Sequence, residues 1–426
     1  MVARSVGANQ VLTGQFETAE GSVASGNYIT FRGYRFSGFD GAQPRDRRDL
    51  LGAGREPAGS YLGAFDVAPS IEGPADFRLL GYWLKLATGA AQTAVTLGSR
   101  GYIRFSAQPA AESTITLAGA AFTFKSSGAT GDEANIGADL QATLDNAVTA
   151  LNLSATGAIA AATYTRRGND LVIEHDTADD TGDAFTLAAS AASNGTVSAA
   201  TLYGGGLKSH EFRSGSATLP SMTFQRDDPA LTGGDRYTIT TGVRIDEITF
   251  RRERTGPGTF TFTGRGINAY RDSSSVAGTP TVPTVNTFSN FQGTLLVDDV
   301  VVANVTSIDV TYRNGLLVAD NLVENGLIEG TDPGSIQIDV NIGARESNNA
   351  LRQAVDAGTP IALKMGWLDK TTGTEIELAF PVIYLPIPDI SFDGPGYADL
   401  SFTGIGETNG TRSMTVTLIN DVTSYT

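Results

Sequence analysis

A strand, a Gly-Pro-Gly turn and a second strand ending in Phe-Thr-Gly-x-Gly occur twice in this chain. The first occurrence is Glu247-Ile248-Thr249-Phe250, Gly256-Pro257-Gly258 and Phe262-Thr263-Gly264-Arg265-Gly266. The second is Asp389-Ile390-Ser391-Phe392, Gly394-Pro395-Gly396 and Phe402-Thr403-Gly404-Ile405-Gly406. The leading strands are offset by 142 residues and the trailing ones by 140. That difference is even, so every side chain keeps its face, because a strand alternates with period two. The expectation is a fold present twice in one chain.

Other segments extend the parallel. Early alternating strands occur at Tyr28–Tyr34 and Ser307–Tyr312, and each is followed by a long loop, about 37–60 and about 314–334. Further strands are expected around Ala64–Val67 and Ile336–Ile342, and then one helix in each half. Pro74 suits a first helical position ahead of the stripe Phe77, Leu80, Leu84. In the second half Ser347 or Asn348 can cap a helix carrying Ala350, Leu351, Ala354 and Val355, with Gly358 as its stop.

Between the first helix and its hairpin lies a segment rich in Ala, Thr and Ser with no counterpart in the second half. Its apparent order is strand (Thr114–Leu117), strand (Ala121–Phe124), helix (Ile136–Leu153, from Ile136, Leu140, Leu144, Val148 and Leu151), then strands near 162–165, 170–174 and 185–187. A loop insertion costs little. The expected division is therefore 1–101 with 206–272 as one domain, 102–205 as an inserted α+β domain, 273–287 as a Ser- and Pro-containing linker, and 288–426 as the second domain. Residues 1–26 and 420–426 read as terminal arms, either disordered or added to a neighbouring sheet.

The 50 glycines and the abundance of Thr, Ser and Val favour strands and turns. The fold class is mainly β: two tandem β-sandwich or β-barrel folds, each flanked by one helix, plus the small inserted α+β domain. No apolar run approaches the roughly 20 residues that cross a bilayer, and Met1–Gly14 lacks the apolar core of a secretory signal. The expectation is a soluble, unexported chain. With no cysteine there is no disulfide, thiol nucleophile or thiolate metal site. Charge is uneven: residues 286–426 hold 6 basic and 18 acidic residues, whereas the first domain is near neutral. Such an acidic surface disfavours sequence-specific nucleic-acid binding and anionic membranes.

Catalytic chemistry finds little support. The two histidines, His175 and His210, have no companions at metal or triad spacing. Asp176, Asp179, Asp180 and Asp183 offer carboxylates to Ca²⁺ but not at EF-hand spacing, and a solvated turn is the favoured account of them. Trp83 and Trp367 read as core residues near the two helical regions. No Gly-Lys-Ser or Gly-Lys-Thr phosphate loop is present. No cofactor and no enzymatic activity are expected.

The segment Leu50-Leu51-Gly52-Ala53-Gly54-Arg55-Glu56-Pro57, then Gly81-Tyr82-Trp83-Leu84-Lys85, then Leu219-Pro220-Ser221-Met222-Thr223-Phe224, resembles phage tail tube proteins, the major tail proteins of long-tailed bacterial viruses. The likeness spans most of 28–268 outside the insert, and the second half is similar in element order and closing hairpin. It implies a helix-flanked β-sandwich whose subunits pair strands into rings that stack into a hollow tube, through which DNA is delivered to the host. Two copies per chain imply homotrimeric, pseudo-hexameric rings. The implied partners are further copies of the chain, the tape measure and tail terminator proteins, and DNA passing transiently. The implied location is the virion tail, assembled in the bacterial cytoplasm.

On the hairpins, Ile248, Phe250, Phe260 and Phe262, matched by Ile390, Phe392, Leu400 and Phe402, are the expected core face. The opposite face is polar and in the second copy acidic. Glu247, Asp389, Asp393 and Asp399 are candidates to line the lumen, where fixed negative charge would keep phosphates from sticking; an ordinary solvated sheet face is the alternative. In such a family the long loops reach the adjacent ring. Arg45, Arg47, Arg48 and Arg55 on the first loop can meet Asp320, Glu324, Glu329 and Asp332 on the second, or both loops are simply solvated. A carbohydrate-binding or adhesive β-protein is the competing reading of the whole chain.

Overall fold

The computed structural model describes residues 7–47, 60–92, 94–231, 235–253, 256–288, 293–301, 305–320, 326–345, 350–369, 372–387, 389–391 and 399–425. The chain is mainly β. The first strands are β1 (Val11–Phe16), β2 (Ile29–Phe31), β3 (Arg35–Ser37), β4 (Arg45–Arg47), β5 (Ser60–Leu62) and β6 (Ser70–Pro74). Helix α1 (Leu80–Thr88) and β7 (Val95–Thr96) follow. Next come β8 (Arg100–Phe105), β9 (Thr114–Leu117), β10 (Ala120–Lys125), β11 (Glu133–Asn135), α2 (Leu140–Asn152), β12 (Ala162–Arg167), β13 (Asp170–His175), β14 (Leu187–Ala189) and β15 (Gly195–Val197). The chain continues through β16 (Lys208–Arg213), β17 (Met222–Asp227), β18 (Tyr237–Glu253), β19 (Thr259–Arg265) and β20 (Asn268–Asp272). The last stretch holds β21 (Gly293–Val297), β22 (Val300–Val301), β23 (Val305–Arg313), β24 (Leu317–Ala319), β25 (Gly330–Asp332), β26 (Gln337–Arg345), α3 (Ala350–Ala357), β27 (Ile361–Leu368), β28 (Glu375–Tyr384), β29 (Asp389–Ser391), β30 (Asp399–Glu407) and β31 (Thr415–Asn420).

Alternation builds the strands. In β19 the run Thr-Phe-Thr-Phe-Thr buries Phe260 and Phe262 completely and leaves the threonines half-buried. In β26 Ile338, Val340 and Ile342 point in while Gln337, Asp339 and Asn341 point out. Burying each such apolar side chain contributes about 1.5–3 kcal/mol. The expected core face of the first hairpin, Ile248, Phe250, Phe260 and Phe262, is fully buried, as are Leu400 and Phe402 in the second. Phe392 lies outside the described residues, and of Ile390 only the backbone is described.

Eight antiparallel strands run side by side in the order β3–β6–β19–β18–β23–β26–β30–β29. The first four and the last four have the same order, and Ile71 opposite Phe262 corresponds to Ile342 opposite Phe402. A second layer lies behind each set. Behind the first it is β2–β1–β17–β18–β20, and behind the second it is β22–β21–β27–β28–β31, extended by β16 and β7. The 17-residue strand β18 serves both layers: Tyr237–Val243 pairs with β17 and the rest with β19 and β23. The change of layer falls at Gly242, whose φ of +70° and whose contact with Ile267 leave no room for a Cβ.

One core unites these layers. Trp83 of α1 stacks on Phe224 and Phe262, and Trp367 of β27 packs on Phe260 across the boundary between the two strand sets. Trp367 is thus a core residue as expected, carried by strand β27, which follows α3. A separate core, including Phe105, Phe122, Phe124, Leu144, Leu151 and Tyr164, lies within the segment β8–β15.

Several boundaries depart from expectation. Pro74 ends β6, and α1 begins only at Leu80, because the Asp76 carboxylate accepts the Arg78, Leu79 and Asn286 backbone N–H groups and turns the chain there. Helix α2 starts at Leu140, capped by Asp139 at the Ala142 N–H, so Ile136 precedes it. Gly358 (φ +64°) follows α3 as expected. The N-terminal residues are not all a free arm: β1 pairs with β17 and β2. At the other end Tyr425 is buried on α1 with its carbonyl accepting Lys85, while Asp421 pairs with Arg78. The stretch 273–287 packs along β2 and Gln225, with Thr281 bridged to Ile29.

Candidate functional site

The outward face of the eight-stranded sheet is a continuous field of hydroxyl and charged groups. Strand alternation places Arg35, Glu72, Thr261, Thr263, Thr249, Arg251, Asp309, Thr311, Arg313, Asp339, Asn341 and Thr403 on it. Around the β18–β23 junction acids and bases are paired across strands. Arg313 of β23 donates to Glu247 of β18 at 2.7 Å and to Asp339 of β26, Arg251 pairs with Asp309 at 2.9 Å, and the Thr249 and Thr311 hydroxyls meet at 3.2 Å. Three of these four contacts cross the β18–β23 junction and the fourth, Arg313 to Asp339, adjoins it, so the polar face is sewn together where the two strand sets meet. Burial opposes the Arg313 cation, but Asp339 and Glu247 overrule it and hold its pKa above the ordinary arginine value. The guanidinium is therefore a permanent charge whose two carboxylates neutralise it locally.

Among the lumen candidates, Glu247 is half-buried and already ion-paired. Asp389 and Asp399 lie on adjoining strands, with Asp389 opposite Ser401 and Asp399 opposite Ser391. Asp399 is also opposite Arg345 of β26. Their side chains, and Asp393 altogether, lie outside the described residues. The sequence reading missed Arg313 and Asp309; the signal available was the alternation Asp309, Thr311, Arg313, a complement to Arg251, Thr249, Glu247 in reverse order.

Two hairpin arms leave this sheet at corresponding places, β4–β5 between β3 and β6, and β24–β25 between β23 and β26. Arg45 is exposed on β4 and reaches Ser60 at 3.5 Å; the backbone of Arg47 pairs with Ser60. Arg48, Arg55 and Glu324 fall outside the described residues. Asp320 and Asp332 are exposed on the second arm, where Asp332 pairs with Leu317, and the Glu329 N–H bonds to Ala319. The second arm rests on the first strand set. Thr331 donates its N–H and hydroxyl to Glu20 at 3.1 Å each, Arg244 pairs with Glu20 at 3.0 Å and donates to the Thr331 carbonyl, and Phe65 donates to the Gly326 carbonyl at 2.8 Å.

The β8–β15 segment is docked on β28, in the layer behind the second strand set. Its entrance and exit are hydrogen-bonded to each other, Leu97 N–H to Leu207 and Gly206 N–H to Leu97. Arg167 forks between Glu375 and Glu377 of β28, and Arg100 reaches Glu375 at 3.4 Å and the Gly373 carbonyl at 3.0 Å. Burial works against the Glu375 carboxylate, yet Arg167 and Arg100 outweigh it and keep its pKa below the usual glutamate value. Glu377 is raised, because burial exceeds the help it receives from Arg167.

The remaining candidates are spent on structure. His210 is buried against the Val422 carbonyl at 2.8 Å, and burial lowers its pKa. Asp179 caps the Thr181 N–H, and Asp176 accepts the Thr163 hydroxyl. Among the described residues no three metal-ligating side chains converge, and no helix is long and apolar enough to cross a membrane. A family model described as phage tail tube protein matches residues 7–406. No curated protein matches the sequence.

Proposed function

The chain belongs to the phage tail tube protein family, a structural component of the virion, and from that premise we propose that it polymerises through its eight-stranded sheet into stacked rings that form the tail tube. The observation that carries this is the β18–β23 junction. Within one chain the last strand of the first set pairs with the first strand of the second. Their counterparts, β29 and β3, each have a strand partner on one side only among the described residues. An antiparallel edge of matching geometry at each end is a template for the same pairing between chains, and closing a ring removes both edges.

The division that follows is residues 1–101 with 206–272 as one tube domain, 288–426 as the second, 273–287 as their connection and 102–205 as an insertion. Two copies per chain make a trimer the ring with pseudo-sixfold symmetry. Three chains bring about twenty-four strands into one barrel, beyond the roughly 16 to 18 that already enclose an aqueous channel. The apolar face of the sheet is covered by its own second layer, so the polar face is the one left for the lumen, with Glu247, Asp389, Asp393 and Asp399 on or beside it. A face of hydroxyls and internally neutralised arginines offers passing DNA few free cations, which suits delivery of the genome without adhesion. The arms, with Arg45, Arg47, Arg48, Arg55, Asp320, Glu324, Glu329 and Asp332, contribute charged groups to contacts between stacked rings, the second arm doing so from its seat on its own chain's first strand set. The ends of the tube meet the tape measure and tail terminator proteins, and assembly takes place in the host cytoplasm.

Negative-stain microscopy of the purified protein tests the proposal. Hollow rods or rings of constant diameter are expected; a protein that stays monomeric at every concentration would contradict it.

A further inference from the structure

The contact between the second arm and the first strand set has an unfilled counterpart. In the first set Arg244 lies opposite Arg265, the residue between Gly264 and Gly266. Arm residue Thr331, the middle of β25, sits on Arg244. In the second set Tyr384 lies opposite Ile405, the residue between Gly404 and Gly406. Both basic residues are thus replaced by apolar ones, and nothing among the described residues covers them: Tyr384 is 44% exposed, Ile405 60% and the nearby Ile387 83%. The other arm carries a matching substitution at its contact position. The middle of β5, the counterpart of Thr331, is Tyr61, which is 56% exposed, and its neighbour Leu62 is 54% exposed.

Resting on the ring reading, we propose that the β4–β5 arm of one chain docks on the Tyr384–Ile387–Ile405 patch of the next copy of this chain, with Tyr61 standing where Thr331 stands within a chain. The occupant follows from continuity. If β3 of one chain adjoins β29 of the next as β23 adjoins β18, the arm that leaves β3 must cross onto the far end of β28 and β30, where this patch lies. Polar recognition inside the chain through Glu20, Arg244 and Thr331 is replaced between chains by apolar burial, which is absent until assembly and so drives it. An exposed apolar pair on an arm and an exposed apolar triad at the site it would reach are costly in a monomer and satisfied together in a ring.

The chain has no cysteine, so Tyr61→Cys and Tyr384→Cys can each be made in a clean background. Mixed and co-assembled, then treated with a short bifunctional maleimide, the two single variants are expected to give a covalent dimer that neither gives alone. The double variant is expected to give covalent trimers. Rings that form normally without the mixed cross-link would overturn the docking and leave the ring reading standing. Cross-linking confined within single chains of the double variant would also overturn the docking. Absence of any ring, with the protein monomeric, would overturn both. As a second measure, Ile387→Asp is expected to weaken ring assembly at least tenfold while monomer melting stays unchanged; unaltered assembly would contradict the role of the patch.

Discussion

Glu375 is buried with two arginines from a segment more than two hundred residues earlier in the chain, and its pairing decides how firmly β8–β15 is held. Removing one member of a buried pair leaves an uncompensated charge, so Arg167→Met should destabilise by about 3 kcal/mol in denaturant unfolding. The pH dependence follows from the two shifts. Glu377, raised by burial, protonates first as pH falls, and because its ionised form is the disfavoured one this step does not weaken docking. Glu375, lowered, contributes stability that is present above the ordinary glutamate value of about 4.3 and lost as pH falls through its folded value. Hydrogen-exchange protection factors in β12, β13 and β28 should therefore hold to about pH 4.3 and fall below it. Protection lost already near neutral pH would contradict the assignment. None of this was legible in the sequence, because an ion pair between Arg167 and Glu375 depends on a register set by tertiary packing. The same is true of Arg313 with Glu247 and Asp339. By contrast Ile248, Phe250, Phe260 and Phe262 were legible, since alternation alone assigns them to the inner face.

At the scale of elements, period two was readable and termini were not. Strands of alternating pattern such as β19, β23 and β26 lie where their residues place them, whereas α1 buries eight of its nine residues and so has no amphipathic stripe by which its start could be found. The C-terminal tail completes its cover: a Cβ at Gly81 would stand 2.0 Å from the Tyr425 ring. Gly81→Ala should thus displace the tail, speeding hydrogen exchange at 421–425 and lowering the melting temperature; an unchanged tail would show that the close approach is not needed. Strand β3 is three residues long, a common way to blunt an open edge before assembly. Successive residues of a strand direct their N–H groups to opposite sides, so of Phe36 and Ser37 one points away from β6. Proline at each in turn should give one variant that folds with native stability but fails to form rings, and one that is destabilised. Two variants that both assemble would exclude β3 as an assembly edge.

For the whole molecule, the recurrence of strand order was foreshadowed by the repeated Gly-Pro-Gly hairpin, but the joining of both sets into one sheet through β18 and β23 was not, because no local signal specifies which edges meet. The hydrogen-bonded neck at Leu97, Gly206 and Leu207 means that a short Gly-Ser bridge can replace residues 102–205 without straining β7 or β16. That variant should still polymerise if the segment decorates the outside; a soluble, folded but non-polymerising deletion would assign it a place in the tube wall. The central claim is that the chain closes a ring by repeating its internal strand junction between copies. Cryo-electron microscopy of assembled tubes, at a resolution that separates strands, tests this most directly. Three chains per ring with β29 of each paired to β3 of the next is the result expected, and six chains per ring, or rings in which these two edges do not meet, would contradict it.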